Sequence, residues 1–321
     1  MQSVSNQLEL LHSDGVSLRS AELLRYQQLA KLIDLTPKRT PQARLAGSYL
    51  TRHKGRGMEF DEARHYQPGD DIRAIDWRVT ARTGKTHTKV YREERERPVF
   101  IFCDFLPSMH FGTQLLTKSV QAAHVSALLS WSAADRGDKV GALIFSQQKH
   151  KECKPVSRKR AVLNLCHAMI DVHQSNVSDD VYDEAQSKAI FADSCARARR
   201  LARPGSLVYI VSDFQHLSTM ALQHLGQMSR HCEVRAIVVN DPMEYSLPKS
   251  NQVQYVNVSD GSEQQPWVLG DAKEQADYEQ WRATQHNNIE SQLKKSGLLR
   301  YHVSAGQSID SQLQGIQREK M

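Results

Sequence analysis

Several features common in enzymes and secreted proteins are absent from this chain. No Cys-x-x-Cys pair occurs, and the five cysteines (Cys103, Cys153, Cys166, Cys195 and Cys232) are odd in number and far apart. That spacing excludes a zinc-ribbon pattern and a disulfide framework, and it predicts reduced, buried thiols. The phosphate-loop pattern Gly-x-x-x-x-Gly-Lys-Ser/Thr, the dinucleotide pattern Gly-x-Gly-x-x-Gly and the zincin pattern His-Glu-x-x-His are all missing. No nucleotide cofactor or helix-borne zinc is therefore expected. The histidines are dispersed, with no pair at zinc-ligand spacing. No apolar run is long enough to span a bilayer. The first residues, Met-Gln-Ser-Val-Ser-Asn-Gln, lack the basic-then-apolar order of a secretory signal. The expected compartment is the cytoplasm, and any membrane contact would be peripheral. Aromatic residues reach only 7%.

What is present begins with charge. The net charge is +6. Between Pro37 and Met58 stand Lys38, Arg39, Arg44, Arg52, Lys54 and Arg56, with no acid. A second cluster, Lys149, Lys151, Lys154, Arg158, Lys159 and Arg160, contains one acid, Glu152. Basic patches attract nucleic acid, anionic lipid or acidic protein. Neither cluster has the interleaved aromatics of a single-strand platform, so a solvated or protein-facing surface is expected and nucleic acid is not.

The 321 residues suffice for one large domain with an appendage. The chain is organised around Val99-Phe-Ile-Phe-Cys103, an apolar run that ends in Asp104, Pro107 and Ser108. Such a run fits a strand buried on both faces of a parallel sheet. Further strands are expected at 138–145, 206–213, 232–240 and 298–303, with helices at 114–136, 160–172, 183–201, 216–230, 272–295 and 309–316. A small hairpin is expected from Tyr255–Val258 and Trp267–Leu269. Strands alternating with helices predict an α/β fold with a doubly wound, mostly parallel sheet. Before it, residues 40–97 read as a smaller β-rich module. There Val79 and Ala81 continue an alternating run and Thr86–Tyr91 returns antiparallel. Residues 1–16 read as polar and loose, and 18–35 as a helix. The expected division is 1–39, 40–97 and 98–321.

Two of the strands end alike, in Phe-Cys-Asp104 and Val-Ser-Asp213, so both acids would lie at one edge of a parallel sheet. With Ser108 they could offer oxygen ligands to a hard cation such as Mg²⁺. This arrangement resembles the von Willebrand factor A fold. That family's metal-dependent adhesion site opens with Asp-x-Ser-x-Ser and is completed by a Thr and a late Asp. Here Asp104, Ser108 and Asp213 match, Leu106 replaces the first Ser, and the loop at 177–184 offers Ser178 and Asp179 but no Thr. The resemblance implies either a divalent-metal site or a degenerate one in which Asp104 accepts backbone hydrogen bonds.

A second constellation comprises Glu59-Phe60, Arg64-His65-Tyr66, Gly69-Asp70-Asp71-Ile72-Arg73-Ala74-Ile75-Asp76-Trp77 and Ala81-Arg82. With Asp135-Arg136-Gly137-Asp138, Ser212-Asp213-Phe214 and Asp241-Pro242-Met243-Glu244, it resembles the signature of the bacterial domain of unknown function 58 family. Physically, Gly69-Asp70-Asp71 suits a tight turn whose carboxylates accept N–H bonds. Arg64, Arg73 and Arg82 could pair with Asp61, Asp71 or Asp76, and Trp77 could anchor the module. Members of that family are commonly encoded beside MoxR-type AAA+ ATPases and other von Willebrand factor A-domain proteins. The resemblance therefore implies a non-enzymatic adaptor or co-chaperone that acts with such an ATPase in complex maturation or remodelling. Two other classes stay open: a metal-dependent hydrolase using the clustered acids, and a basic nucleic-acid binder.

Overall fold

The computed structural model describes residues 4–32, 58–93, 98–175, 183–248, 254–259 and 264–318. The basic stretch at 38–56, and Ser178 and Asp179, lie outside them. In chain order the helices and strands are α1 (Val4–Leu11), α2 (Ser20–Leu24), β1 (Met58–His65), α3 (Trp77–Thr83), β2 (His87–Glu93), β3 (Val99–Asp104), α4 (Lys118–Asp135), β4 (Val140–Phe145), β5 (His150–Val156), α5 (Lys159–Gln174), α6 (Glu184–Leu201), β6 (Leu207–Ser212), α7 (Thr219–Met228), β7 (Glu233–Asn240), β8 (Gln254–Ser259), β9 (Gln264–Leu269), α8 (Ala272–Lys295), β10 (Leu299–Ser304) and α9 (Ile309–Arg318). They fall into two units, Met1–Arg44 with Arg97–Met321, and Leu45–Glu96.

The larger unit is a mixed α/β structure around a six-stranded sheet in the order β10-β7-β6-β3-β4-β5. Only β5 runs antiparallel to its neighbour. Every residue of β3 is buried, because alternate side chains feed two cores. Val99, Ile101 and Cys103 join the core that includes residues of α4 and α5. Phe100 and Phe102 join the one that includes residues of α6 and α7, where the Phe102 ring lies 4.8 Å from Phe145 and 5.8 Å from Phe191. That double burial is why the strand reads as an unbroken apolar run. The thiols of Cys103 and Cys166 are buried, and burial pushes both up to about 12.

The expected parallel strands and the helices between them all form, with ends shifted by a few residues. The edge strand β5 is not visible as a strand in the sequence, because Lys151, Lys154 and Pro155 give it the look of a basic loop. Those residues suit an edge, where charge and proline discourage pairing with another chain.

The N-terminal residues differ from expectation. A helix, α1, forms at Val4–Leu11 where a loose segment was expected. Residues 18–32 form α2 and two short 3₁₀ turns, Arg25–Gln27 and Ala30–Leu32. Leu11, Leu18, Leu23 and Tyr26 are buried in the core of the larger unit. The segment is tied to α4 by Trp131 Nε1, which donates to Leu23 O at 3.1 Å, and by Tyr26 Oη, 3.0 Å from His124 Nδ1. Glu22 Oε2 lies 3.0 Å from His124 Nε2. Arg25 reaches Asp310 at the start of α9 at 2.7 Å.

In the smaller unit, β1 and β2 pair antiparallel. The run at Val79–Ala81 is helix α3, not a strand. Asp76 caps it, accepting from the N–H groups of Arg78 and Val79 at 3.1 Å each, and Gly84 ends it at φ 71°. The cap outweighs the two-residue alternation, which is too short to specify a strand. The partner of β2 is therefore β1.

Candidate functional site

In the six-stranded sheet the order reverses between β3 and β6: one leads on to β4, the other to β7. Ligands of open α/β sheets bind outside the carboxyl ends at such a point. Asp104 ends β3, and Ser212-Asp213 ends β6. The structure thus brings two of the three expected site residues to adjoining strand ends.

Both acids are engaged from within. Asp104 is fully buried; its Oδ1 accepts from Leu106 N–H at 2.8 Å and its Oδ2 from the Ser212 hydroxyl at 2.7 Å. Ser212 Oγ in turn accepts from Phe214 N–H at 2.9 Å. That bond helps to hold Phe214, a buried aromatic, at φ 58°, a left-handed conformation costing on the order of 1–3 kcal/mol. Burial, and then the charge of Asp213, push the Asp104 carboxyl up to about 7.

Asp213 faces a cation. The Lys118 ammonium, 1% exposed at the start of α4, lies 2.8 Å from Asp213 Oδ2 and 2.7 Å from Glu244 Oε1. Burial, the largest single influence, would raise the Asp213 carboxyl, but the charge and hydrogen bond of Lys118, with His216 and the Gln215 N–H, together hold it below its usual range. Burial would lower Lys118, and the two acids raise it instead. Glu244 Oε1 also accepts from Gln215 Nε2 at 2.9 Å, and Arg282 stands 3.5 Å from it. Its other oxygen accepts from Asp241 N–H at 3.0 Å.

These residues do not fit a divalent cation. An ammonium is seated on Asp213, and Asp104 is occupied by two hydrogen-bond donors. Leu106 is buried among apolar side chains. Ser108 lies in a 3₁₀ turn, Pro107–His110, and its Oγ has no hydrogen-bond partner among the described residues. Among the described residues no group of three or more His, Cys, Asp or Glu side chains is gathered to hold a metal ion. What remains is a rigid, internally neutralised end to the sheet. Sequence reasoning missed Lys118. The signal was its position: a cation in the first turn of a helix opposes the helix dipole and needs a compensating partner.

The second constellation is a folded turn. Gly69 has φ 107°, a conformation open to glycine. Asp70 pairs with Arg64 at 2.6 Å and accepts from Gln67 N–H at 2.9 Å. The Gln67 amide first, then Arg64, hold its carboxyl below the usual range. Asp71 accepts from Arg73 N–H at 3.0 Å, and Asp76 caps α3. Arg73 and Arg82, expected to pair with Asp61, Asp71 or Asp76, have no ion pair among the described residues. Tyr66 is half-buried, and Trp77, expected as an anchor, is 67% exposed. An open cleft of about 340 Å³ beside the β4–β5 turn is lined by Phe145, Ile190, His150, Asp193 and Arg197. Its charged rim is self-paired, with Arg197 Nε 2.7 Å from Asp193.

Three comparisons bear on relatives. The model of a family described as a protein of unknown function, DUF58, matches residues 62–288. Uncharacterized proteins of Mycobacterium bovis and Mycobacterium tuberculosis are 28% identical to the chain over 231 residues, which cover 72% of this chain and 70% of theirs. No solved structure matches.

Proposed function

The chain belongs to the DUF58 family of proteins of unknown function, and on that premise we propose that it is a non-enzymatic adaptor or co-chaperone with a von Willebrand factor A-like sheet. Its partners in this reading are a MoxR-type AAA+ ATPase and other proteins with that fold, and its task is the maturation or remodelling of protein complexes. The observation that carries the reading is the Lys118 ammonium clamped between Asp213 and Glu244 at the switch point. A hydrolytic centre needs acids that can reach substrate or water. Here Asp104 and Asp213 are 0% and 3% exposed and are held by internal partners. The resemblance to the von Willebrand factor A fold supports the same reading, because both central parallel strands end in an acid. Docking would use surface side chains carried by this rigid frame, without a divalent cation.

The test is direct. The full chain is mixed with the ATPase encoded nearest to its gene, in ADP, in ATP and in a non-hydrolysable analogue, and the complex is followed by size-exclusion chromatography with light scattering. Co-elution in at least one nucleotide state is expected. Separate elution in every state overturns the reading. Metal-dependent turnover of a generic phosphoester, abolished by Asp104→Ala, would instead favour a hydrolase.

A further inference from the structure

The segment from Tyr66 to Lys85 has no part in the sheet-end clamp, yet it is held firmly. Tyr66 N–H donates to Thr86 O at 2.9 Å, and Asp76 N–H to His87 O at 2.8 Å. Ile75 forms a bridge to Thr88. On α3, Val79 and Thr80 are half-buried, and Thr80 Oγ1 accepts from His87 N–H at 3.0 Å. Another side of that helix carries Trp77, Arg78, Ala81 and Arg82, all exposed. Their spacing puts Trp77 above Ala81 and Arg78 above Arg82 on neighbouring rows. Five residues before Trp77, Ile72 is 66% exposed. Scattered apolar side chains on a surface need no explanation, but two large ones on so short and well-fixed a segment mark a contact site.

Charge identifies the occupant. Of the three acids in the segment, Asp70 is paired with Arg64 and Asp76 is buried as the cap of α3. That leaves Asp71 against Arg73, Arg78, Arg82 and Lys85, all exposed, so the exposed side chains of the segment that presents Trp77 and Ile72 carry a cationic excess. We propose that this face docks an acidic segment of a partner protein, with apolar side chains set between its carboxylates. The guanidinium forks of Arg78 and Arg82 suit carboxylates, and Trp77 supplies the large apolar contact typical of interface centres. Nucleic acid is the weaker fit, because Trp77 is the single exposed aromatic among the described residues of the segment and its other large exposed apolar side chain, Ile72, cannot stack on a base. The proposal depends on the adaptor reading for its purpose, but not for its geometry.

The test uses the full chain and a random dodecapeptide display library, followed by fluorescence anisotropy with the enriched peptides, their lysine-for-acid counterparts and dT12. The expected enrichment is in Asp and Glu flanking Leu, Phe or Trp. Trp77→Ala, and separately Arg78→Glu with Arg82→Glu, should each weaken binding at least tenfold, while circular dichroism and the melting curve stay unchanged. The lysine counterparts should not bind. The proposal is overturned by no enrichment, by enrichment that survives both variants, by equal binding of the lysine counterparts, or by dT12 binding more tightly than the peptides. The two readings fail separately. If the ATPase co-elutes equally with wild type and Trp77→Ala, this face falls and the adaptor stands. If acidic peptides bind and no ATPase does, the face stands and that partner falls.

Discussion

Lys118 holds two buried carboxylates at the sheet end, Asp213 and Glu244. Removing it leaves Asp213 and Glu244 buried and facing one another, which costs about 3–5 kcal/mol for a broken buried pair. Lys118→Met should lower the unfolding free energy from urea titration by that amount, and adding Asp213→Asn with Glu244→Gln should recover most of it. Calorimetric titration of the chelator-stripped protein with Mg²⁺ should give no saturable heat; a saturable heat lost in Asp104→Ala would contradict the clamp. His173 makes a second residue-level prediction. It is 7% exposed, hydrogen-bonded to Ser119 Oγ at 3.0 Å, with the His110 ring 5.0 Å away and Phe105 edge-on to it. Burial, then His110, lower its pKa to about 4. The unfolded chain takes up the proton near pH 6.5 and the folded chain resists, so this contribution is complete above that pH and is lost as pH falls towards 4. By pH 5 the loss amounts to about 2 kcal/mol. Urea unfolding at pH 7.5 and pH 5 should show that extra loss in wild type and not in His173→Gln.

At the scale of elements, α3 depends on its cap. Asp76→Ala removes the acceptor for two N–H groups and should cost about 1 kcal/mol, seen as roughly fivefold faster amide exchange in α3. Trp77→Ala, at an exposed position of the same helix, should leave that exchange unchanged. The same two residues show what the sequence discloses and what it hides. Strands such as Val99–Asp104 and Leu207–Ser212 are legible because burial on both faces forces an unbroken apolar run. Helix α3 is not, because seven residues with two Thr, one Val and one Trp carry no clear period, and the decisive group is a single capping carboxylate. The site is legible to the same extent. Strand ends announce Asp104 and Asp213, and the turn Gly69-Asp70-Asp71 announces its own hydrogen bonds. Nothing in the local pattern says that Lys118, fourteen residues after Asp104, would fold back onto Asp213 and Glu244, since that pairing depends on three separate connections at one sheet edge.

At the scale of the molecule, the N-terminal segment is part of the core. Leu11, Leu18, Leu23 and Tyr26 are at most 2% exposed, and burying such side chains is worth roughly 1.5–3 kcal/mol each. Deleting residues 1–32 should lower the melting midpoint by at least about 10 °C, measured by differential scanning calorimetry. Loss of only a degree or two would mean that the segment rests on the larger unit without stabilising it.

The Arg25–Asp310 pair sets a schedule for synthesis. Its partners are 285 residues apart in the chain. At roughly 5–20 residues per second, the first leaves the ribosome roughly 15–60 s before the second. Over that interval Leu23 and Tyr26 exist without their full seat, and the loop that must close is nearly the whole chain, an entropic cost met only at the end. Through that interval the nascent chain's Arg25 waits without its carboxylate, and the N-terminal segment is held through its contacts with α4 until α9 arrives.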